Sequence, residues 1–304
     1  MRVYTHAACL LHDPGAGHAE RPERLLAVTE ALRAQPGLDW VQAPEATRAQ
    51  LARVHAPALI AQVLDSAIEG SLRLDPDTVM SPDSPQAALR AAGAAVAAVD
   101  AVLGGEIAQA FCAVRPPGHH ATADTAMGFC LFNAAAVAAA HALAEHGVAR
   151  VAILDFDVHH GNGSQDIFAA DPRVLYLSSH QSPLYPGTGA ASEHGVGNVV
   201  NAPLAPEAGG EALRAAWREV LLPAARAFAP QLLLVSAGFD AHRLDPLAQL
   251  QAEAEDYRWL GREIAALARE SAHGRVVSLL EGGYSLQALR ECSVAYLEGL
   301  RAPA

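Results

Sequence analysis

The stretch Val151-Ala-Ile-Leu-Asp-Phe-Asp-Val-His-His-Gly-Asn-Gly163 decides the fold of this chain. It begins with a short apolar run that ends in polar residues, which is typical of a buried parallel strand. Similar apolar runs recur along the chain and alternate with longer segments of helical period. This alternation predicts βαβ units, and hence an α/β protein with a central, mainly parallel sheet between helical layers.

The pattern predicts seven strands and seven helices within one domain that covers residues 1–304, because no composition shift or repeat marks a boundary. The predicted strands are Arg2–Thr5, Phe111–Val114, Val151–Asp157, Val174–Ser178, Val199–Pro203, Leu232–Ala237 and Val276–Leu280. The predicted helices are Pro22–Ala34, Pro57–Glu69, Ser84–Leu103, Leu131–His146, Gly210–Phe228, Ala254–Ser271 and Leu286–Leu300.

Composition narrows the class of protein. The chain is 51% hydrophobic and 18% charged, which excludes a disordered chain. No unbroken apolar run is long enough to cross a bilayer and no secretion signal is present, so we expect a soluble cytoplasmic protein without membrane association. The cysteines are far apart and predict neither a disulfide framework nor a zinc knuckle: Cys9, Cys112, Cys130 and Cys292.

Charge narrows the class further. All 21 basic residues are arginine, which excludes mechanisms that need a lysine, such as a Schiff base or a P-loop. The net charge is −12 and no basic stripe occurs. This balance argues against nucleic-acid binding and favours a cationic partner.

Polar residues follow five of the predicted strands. Because the carboxyl ends of parallel strands meet at one edge of a sheet, these residues are expected to converge on one crevice. They are His119 and His120, then Asp157, His159 and His160, then Ser178 to His180, and finally Asp240 and Tyr284.

Asp157 and His159 have the spacing of metal ligands, since residues two apart on an extended strand point to the same side. Asp240 ends a buried apolar strand, where a lone charge needs a partner, and it is the best third ligand. Zinc and iron(II) both suit two carboxylates and one imidazole. The alternative is structural, with Asp157 capping a turn and Asp240 forming a salt bridge.

A catalytic pair is predicted at His119 and His120, which follow a rigid Pro-Pro-Gly loop. Asp155 and Asn162 are their candidate partners, and a carboxylate partner makes an imidazole a stronger base than an amide partner does. Tyr284, on a glycine-rich turn, can donate a hydrogen bond to the oxygen of a tetrahedral intermediate. The alternative for Tyr284 is a packed core tyrosine.

Six motifs occur in an order that resembles the zinc-dependent histone deacetylase superfamily, on the class II-like branch of bacterial histone deacetylase-like amidohydrolases. They are RPPGHH (Arg115–His120), GFCLFN (Gly128–Asn133), DFDVHHGNG (Asp155–Gly163), YPGTG (Tyr185–Gly189), SAGFD (Ser236–Asp240) and EGGY (Glu281–Tyr284). The resemblance covers nearly the whole chain. It implies an arginase/deacetylase-like three-layer α/β/α fold and hydrolysis of acyl amides on lysine side chains or related amines.

The resemblance also implies roles at the reacting centre. A catalytic zinc ion would be held by Asp157, His159 and Asp240. His120 matches the general base, His119 is its neighbour paired with Asp155, and Tyr284 would polarise the substrate carbonyl. Asn162 stands where class I members carry an aspartate, so the polarisation of His120 is expected to be weaker than in class I.

Further positions match the family's substrate and ion sites. Gly128, Phe129 and Tyr185 would line an acyl-lysine channel, with Leu247 at its rim. Asp83 matches the rim carboxylate that holds substrate backbone amides, and Arg24 matches an arginine near the product channel. Asp155 and Ser178, with the main chain of Asp157, His159 and Ser179, would bind a structural potassium ion.

Three other functions compete with this one. An arginase-like amidine hydrolase needs GGDH and DxDxxDP segments, which this chain lacks. An inactive acyl-lysine-binding module would have lost a ligand, a histidine or the tyrosine. An acetylpolyamine amidohydrolase uses the same chemistry and stays open as the alternative. The expected substrate is an acylated lysine peptide or a small acylated amine, and a homo-oligomer is compatible with the sequence.

Overall fold

The computed structural model describes residues 1–302 and is built on a large parallel sheet. The strands of the described part are β1 Arg2–Thr5, β2 Asp39–Gln42, β3 Leu72–Arg73, β4 Val79–Met80, β5 Gln109–Cys112, β6 Val151–Asp155, β7 Val174–Gln181, β8 Val199–Leu204, β9 Leu232–Ala237 and β10 Val276–Leu280. Eight of them form one sheet in the order β2-β1-β5-β10-β9-β6-β7-β8, and all its neighbouring pairs are parallel. Strands β3 and β4 form a separate antiparallel pair.

The helices of the described part fill the connections between strands. They are α1 Ala8–Leu11, α2 Pro22–Arg33, α3 Arg48–Leu51, α4 Pro57–Leu64, α5 Ser84–Leu103, α6 Ala134–Glu145, α7 Asn162–Phe168, α8 Gly210–Ala216, α9 Leu222–Phe228, α10 Ala254–Ser271 and α11 Leu286–Leu300. Helices α5 and α6 pack together on the sheet, while α2, α10 and α11 form a second packed group. The predicted α/β class and mainly parallel central sheet are therefore confirmed.

The central strands are buried along their whole length because both faces are covered. Every residue of β6, β9 and β10 is buried, and these strands consist mostly of Val, Ile, Leu and Ala. Register places Asp155, the last residue of β6, opposite Ser178 on β7 and Ser236 on β9. The apolar strands thus carry polar residues to one edge of the sheet.

Six predicted elements have the observed bounds: Arg2–Thr5, Leu232–Ala237, Val276–Leu280, Ser84–Leu103, Ala254–Ser271 and Leu286–Leu300. Others differ for local reasons. The strand from Val151 ends at Asp155, whose Oδ1 accepts the N–H of Asp157 at 3.1 Å and turns the chain. The helix predicted from Leu131 is α6, which starts at Ala134 because the Asn133 side chain accepts the N–H of Ala136 and caps it.

The long predicted helix Gly210–Phe228 is interrupted by a π-helical turn at Trp217–Leu221. Pro223 lies two residues after the end of this turn, and a proline cannot donate the hydrogen bond that an uninterrupted α-helix needs there. The short elements β2, α1, α3 and α7 were not predicted, because segments of four to seven residues show too little periodicity.

Helix α5 is the one helix of the described residues that is long and apolar enough to cross a membrane by length and composition. Two-thirds of its most apolar window is buried inside the protein (67%). It packs against α6 and strands β5, β10 and β1. Its apolar surface is therefore used in the core.

Candidate active site

The polar segments predicted to converge follow five neighbouring strands of the sheet, β5, β10, β9, β6 and β7. The structure brings side chains from the segments after β5, β10, β9 and β6 together at the carboxyl ends of these strands. Asp157, His159 and Asp240 offer ligand atoms that lie within 4.8 Å of one another, and all three residues are buried. The predicted convergence therefore holds for four of the five segments, because Ser179 and His180 on β7 bond to Trp217 and to the carbonyl oxygen of Gly189 instead.

Each ligand carboxylate is oriented by a main-chain donor. Asp240 Oδ1 accepts the N–H of Val158 at 2.8 Å, and Asp157 Oδ2 accepts the N–H of Gly282 at 2.7 Å. The other oxygens, Asp157 Oδ1 and Asp240 Oδ2, lie 3.1 and 3.2 Å from Nδ1 of His159. The three possible metal-ligand atoms, one from each residue, thus face a common point.

Glycines make this close approach possible. A Cβ on Gly282 would overlap the Asp240 and Asp157 carboxylates, and a Cβ on Gly238 would overlap Asp157. Gly238 of the SAGFD motif and Gly282 of the EGGY motif are therefore needed next to the ligands for steric reasons.

The electrostatics of this group favour a cation. Burial acts to lower the pKa of His159, but its hydrogen bonds to Asp157 and Asp240 raise that pKa to about 10. Burial and the neighbouring Asp157 charge raise the pKa of Asp240. Positive charge is therefore held strongly between the two carboxylates, and a metal ion can replace the proton there. Two carboxylates and one imidazole fit zinc or iron(II) and leave coordination positions for other ligands.

The two predicted catalytic histidines lie beside the ligands with their ring centroids 4.0 Å apart. His119 Nδ1 is 3.0 Å from Asp155 Oδ2, and His120 Nδ1 is 2.8 Å from Asn162 Oδ1. These are the partners that the sequence predicts. A carboxylate therefore faces one imidazole and a neutral amide faces the other.

This difference separates the two protonation states. Burial acts to lower the pKa of His119, but the charges of Asp157 and Asp155 raise it well above its ordinary value. Burial lowers the pKa of His120 well below its ordinary value, and the charges of His119 and His159 lower it further. At neutral pH the arrangement favours a protonated His119 and a neutral His120, so His120 is the one able to accept a proton.

Glu281 was quoted in the sequence only as part of a motif, but the structure places it beneath the histidine pair. Its Oε2 accepts the N–H of Gly118 at 2.6 Å and that of His119 at 3.2 Å. Burial raises the pKa of Glu281 to about 7. This carboxyl joins the end of β10 to the loop that carries both histidines.

Tyr284 is held by two groups. Its N–H donates to Asp245 Oδ2 at 2.7 Å, and the Arg24 guanidinium lies 4.8 Å from the centre of its ring. Burial raises the pKa of the Tyr284 phenol well above its ordinary value, so the hydroxyl keeps its proton at neutral pH. Asp245 was not predicted as a site residue, since a lone aspartate in a loop gives no signal for this bond.

A cleft of about 220 Å³ leads from the surface to this centre. Phe129 has φ of 68° and Gly128 φ of 57°, and a Cβ on Gly128 would overlap the ring of His120. The lining residues are Asp77, His120, Gly128, Phe129, His159, Leu184, Tyr185, Leu247 and Tyr284. The predicted channel residues Gly128, Phe129, Tyr185 and Leu247 are all among them.

Asp83, expected at the rim, does not line the cleft and Asp77 does. Asp83 is exposed at the start of α5. The turn between β3 and β4 brings Asp77 to the mouth instead, because Asp75 Oδ1 accepts the N–H of Asp77 at 2.9 Å and closes that turn. Thr78 Oγ1 then accepts the N–H of Phe129 at 3.0 Å and fixes the turn to the channel wall.

A buried ion cluster lies behind the tyrosine. Glu20 Oε1 is 2.8 Å from Arg24 Nη1, and Glu20 Oε2 is 2.7 Å from Arg115 Nη2 and 3.3 Å from His12 Nε2. Arg24 also donates to the main-chain oxygens of Gly283 and Glu281. The sequence pointed to Arg24 alone among these residues.

The two predicted potassium-site residues are neighbours in the sheet, Asp155 on β6 and Ser178 on β7. Asp155 Oδ2 also accepts a hydrogen bond from the Tyr176 hydroxyl at 3.0 Å, and Ser178 Oγ is 2.9 Å from His180 Nδ1. Their adjacency agrees with a shared site, which stays a prediction.

A second group of metal-ligand residues, Asp100, His141 and His146, joins α5 to the end of α6. Both imidazole Nε2 atoms lie 2.7 Å from Asp100 Oδ1. Arg53 Nη1 lies 2.7 Å from His141 Nδ1 and can only donate, so Nδ1 accepts and Nε2 carries the proton. These three side chains therefore form hydrogen bonds that link α5 to the end of α6.

Known proteins share this architecture. The family model "Histone deacetylase domain" matches residues 18–300. The chain is 40% identical to the histone deacetylase-like amidohydrolase of Pseudomonas aeruginosa, over 94% of this chain and 77% of that protein. It is 40% identical to the polyamine deacetylase HDAC10 of Homo sapiens, over 94% of this chain and 45% of that protein. The crystal structure of the HDA15 HD domain matches with a TM-score of 0.92 at 37% identity, covering 97% of this chain and 87% of that one. The predicted arginase/deacetylase-like three-layer fold is confirmed.

Proposed function

We propose that this chain is a zinc-dependent enzyme that removes acyl groups from lysine side chains or related amines. The chain belongs to the histone deacetylase family and is therefore a deacetylase of the amidohydrolase type. One observation carries the proposal. Two buried carboxylates and an imidazole face a common point at the inner end of a narrow cleft, between His120 and Tyr284.

The metal-ligand residues Asp157, His159 and Asp240 would hold the zinc ion. When bound, zinc supplies Lewis acidity, which polarises an amide carbonyl and makes water a better nucleophile at neutral pH. The ligand carboxylates also place negative charge beside His119, which favours its protonated form.

The histidines and the tyrosine supply the proton transfers. Neutral His120 accepts a proton from the attacking water and later donates it to the leaving amine. Asn162 fixes the orientation of the His120 ring. The Tyr284 hydroxyl donates a hydrogen bond to the carbonyl oxygen as negative charge develops on it. Protonated His119, held by Asp155, adds positive charge next to the reacting amide.

The cleft suits an extended chain that ends in an amide. Phe129 and Tyr185 would flank the apolar stem of the substrate, and the Asp77 carboxylate at the mouth would accept N–H bonds from a peptide backbone. Arg24, which lies 4.8 Å from the centre of the Tyr284 ring, would attract the carboxylate product. A structural potassium ion at Asp155 and Ser178, and a cytoplasmic location, complete the proposal.

A second candidate function uses the same site but a different substrate, an acetylated polyamine. The polyamine deacetylase HDAC10 is 40% identical, and two carboxylates, Asp75 and Asp77, lie in the turn at the mouth. Leu247 at the same mouth offers no partner for a second cation. We therefore favour acyl-lysine peptides, with acetylpolyamine hydrolysis as the alternative function.

A side-by-side assay tests both candidates. The purified enzyme, with its metal content measured, is given acetyl-lysine peptides, longer acyl-lysines and acetylated polyamines. We expect the highest kcat/KM for an acyl-lysine peptide and loss of activity on chelation, with recovery when zinc is added back. A preference for acetylated spermidine or putrescine over every peptide establishes the alternative, and full activity after metal removal rejects the zinc mechanism.

Two rim variants make a matched pair within this assay. Asp77→Asn should raise KM for peptides because Asp77 lines the cleft, whereas Asp83→Asn should not because Asp83 lies outside it. The reverse outcome would return the rim role to Asp83.

A further inference from the structure

A buried asparagine occupies an unusual ring of main-chain oxygens. Nδ2 of Asn198, just before β8, lies 2.7 Å from the carbonyl oxygen of Phe168, 2.9 Å from that of Asp171 and 2.8 Å from that of Val174. Its own Oδ1 accepts the N–H of Val196 at 3.1 Å. That bond fixes the amide so that the nitrogen points into the ring.

The backbone of the loop aims these oxygens at one point. The N–H of Asp171 donates to Phe168 O at 2.9 Å, and the N–H of Val174 donates to Asp171 O at 3.1 Å. Two successive four-residue turns, which share Asp171, therefore place the carbonyls of residues 168, 171 and 174 on the same side of the loop. We call these three carbonyls the carbonyl ring.

The chemistry of the carbonyl ring is that of a cation site. An amide nitrogen has only two hydrogens, so it cannot give a full hydrogen bond to each of three acceptors. The negative ends of three carbonyl dipoles converge on it, which is how proteins replace the hydration shell of potassium. Distances of 2.7–2.9 Å exceed the roughly 2.3–2.6 Å of calcium–oxygen bonds and therefore fit a larger ion.

We propose that the carbonyl ring is a monovalent-cation site in which the Asn198 side chain takes the place of the ion. The wild-type protein binds no cation there, and a variant without the amide binds potassium. The proposal does not depend on the reaction that the enzyme catalyses, and the ring is distinct from the potassium position predicted at Asp155 and Ser178.

The replacement of an ion by the Asn198 side chain has a structural consequence for the candidate active site. The loop of the carbonyl ring begins where α7 ends, and the first residue of α7 is Asn162, the partner of His120. Because the Asn198 amide is covalently part of the chain, it holds this loop at any ion concentration in solution. Order at the end of α7 is therefore independent of the potassium concentration.

Asn198→Ala tests the proposal, with Asn201→Ala as the matched control. Asn201 is also a buried asparagine of the β8 segment, but its Nδ2 donates to the side chain of Gln165 rather than to a carbonyl ring. Melting temperatures are measured in potassium chloride and in tetramethylammonium chloride at equal concentration. We expect Asn198→Ala to melt several degrees below wild type in the tetramethylammonium salt and to recover most of this loss, saturably, in potassium.

The difference between the variants decides the outcome. Wild type and Asn201→Ala should show the same smaller response to potassium, which covers any ion bound elsewhere. A potassium response of Asn198→Ala no larger than that of wild type overturns the proposal.

A second measurement uses the wild-type protein and stays decisive if Asn198→Ala does not fold. Crystals of wild type in rubidium chloride should show no anomalous peak between the carbonyls of Phe168, Asp171 and Val174. A rubidium ion bound to these three oxygens in wild type would show that the amide does not replace a cation.

Discussion

Two buried charged clusters lie back to back at the end of β10 and differ in how their charge is balanced. The arginine cluster consists of Glu20, Arg24 and Arg115 with His12, so two guanidinium groups face one carboxylate. The metal-ligand cluster consists of Asp155, Asp157, His159 and Asp240 with His119, so three carboxylates face two imidazoles. One cluster has an excess of positive charge and the other an excess of negative charge.

The pKa shifts follow this difference. Burial acts to raise the pKa of Glu20, but Arg115, His12 and Arg24 hold it well below its usual range. Burial raises the pKa of Asp240 and of Asp155, and the nearby Asp157 charge raises both further. The arginine cluster is therefore balanced within the chain, whereas a bound cation would complete the metal-ligand cluster. The positive excess of the arginine cluster suits an anionic product beyond Tyr284.

The largest effect is expected when the metal-ligand cluster loses a ligand. Asp240→Ala should abolish both bound zinc and deacetylase activity, because the two remaining ligands hold a metal poorly. Metal content and turnover are measured on the same preparation. Asp256→Ala removes another buried carboxylate, one paired with Arg214, and should keep its zinc. Stoichiometric zinc in an inactive Asp240→Ala protein would reject this ligand assignment.

A change in the arginine cluster should lower the stability of the protein without affecting metal binding. Glu20→Gln leaves two buried guanidinium groups without a counter-charge, and breaking a buried ion pair costs about 3–5 kcal/mol of unfolding free energy. The variant should nevertheless retain its zinc. Chemical denaturation measures the loss, and Glu45→Gln, which breaks a solvent-exposed pair with Arg90, should cost at most about 1 kcal/mol. Equal losses for the two variants would contradict the comparison.

Tyr284, between the two clusters, should affect turnover alone. Tyr284→Phe removes the hydroxyl donor but keeps the ring that packs on Arg24 and Phe129. Loss of one donor to a developing oxyanion lowers kcat by about 10²–10³. Zinc content and melting temperature should stay close to wild type. A variant within a fewfold of wild-type kcat would mean that Tyr284 is a packing residue.

The sequence could predict those parts of the site that are local. Asp157 and His159 are two residues apart in the motif that follows β6, and the helix Ala254–Ser271 shows its own period. Glu20, Glu281 and Asp245 gave no such signal, because their partners Arg115, Gly118 and Tyr284 are 95, 163 and 39 residues away. Asp77 gave no signal either, since only the folded turn against Phe129 brings its carboxylate, rather than that of Asp83, to the rim.

The smallest effect is expected at the mouth of the cleft, at a residue that belongs to neither cluster. Leu247 is 38% exposed there, and its N–H is held by Asp245 Oδ1 at 3.0 Å, so its backbone position is fixed. Leu247→Glu should shift the ratio of kcat/KM values from acyl-lysine peptides toward acetylated polyamines. A partly exposed ion pair is worth at most about 1 kcal/mol, so the shift should be up to about fivefold.

Size and charge are separated by a matched variant. Leu247→Gln has nearly the same shape as Leu247→Glu but no charge, so any shift that both variants share comes from the loss of the leucine. The additional shift in Leu247→Glu measures the attraction of a distant ammonium group and should shrink as salt is added, because exposed charges are screened. An unchanged ratio in Leu247→Glu at low salt would place the choice between peptide and polyamine elsewhere on the rim, with Asp77 the nearest candidate.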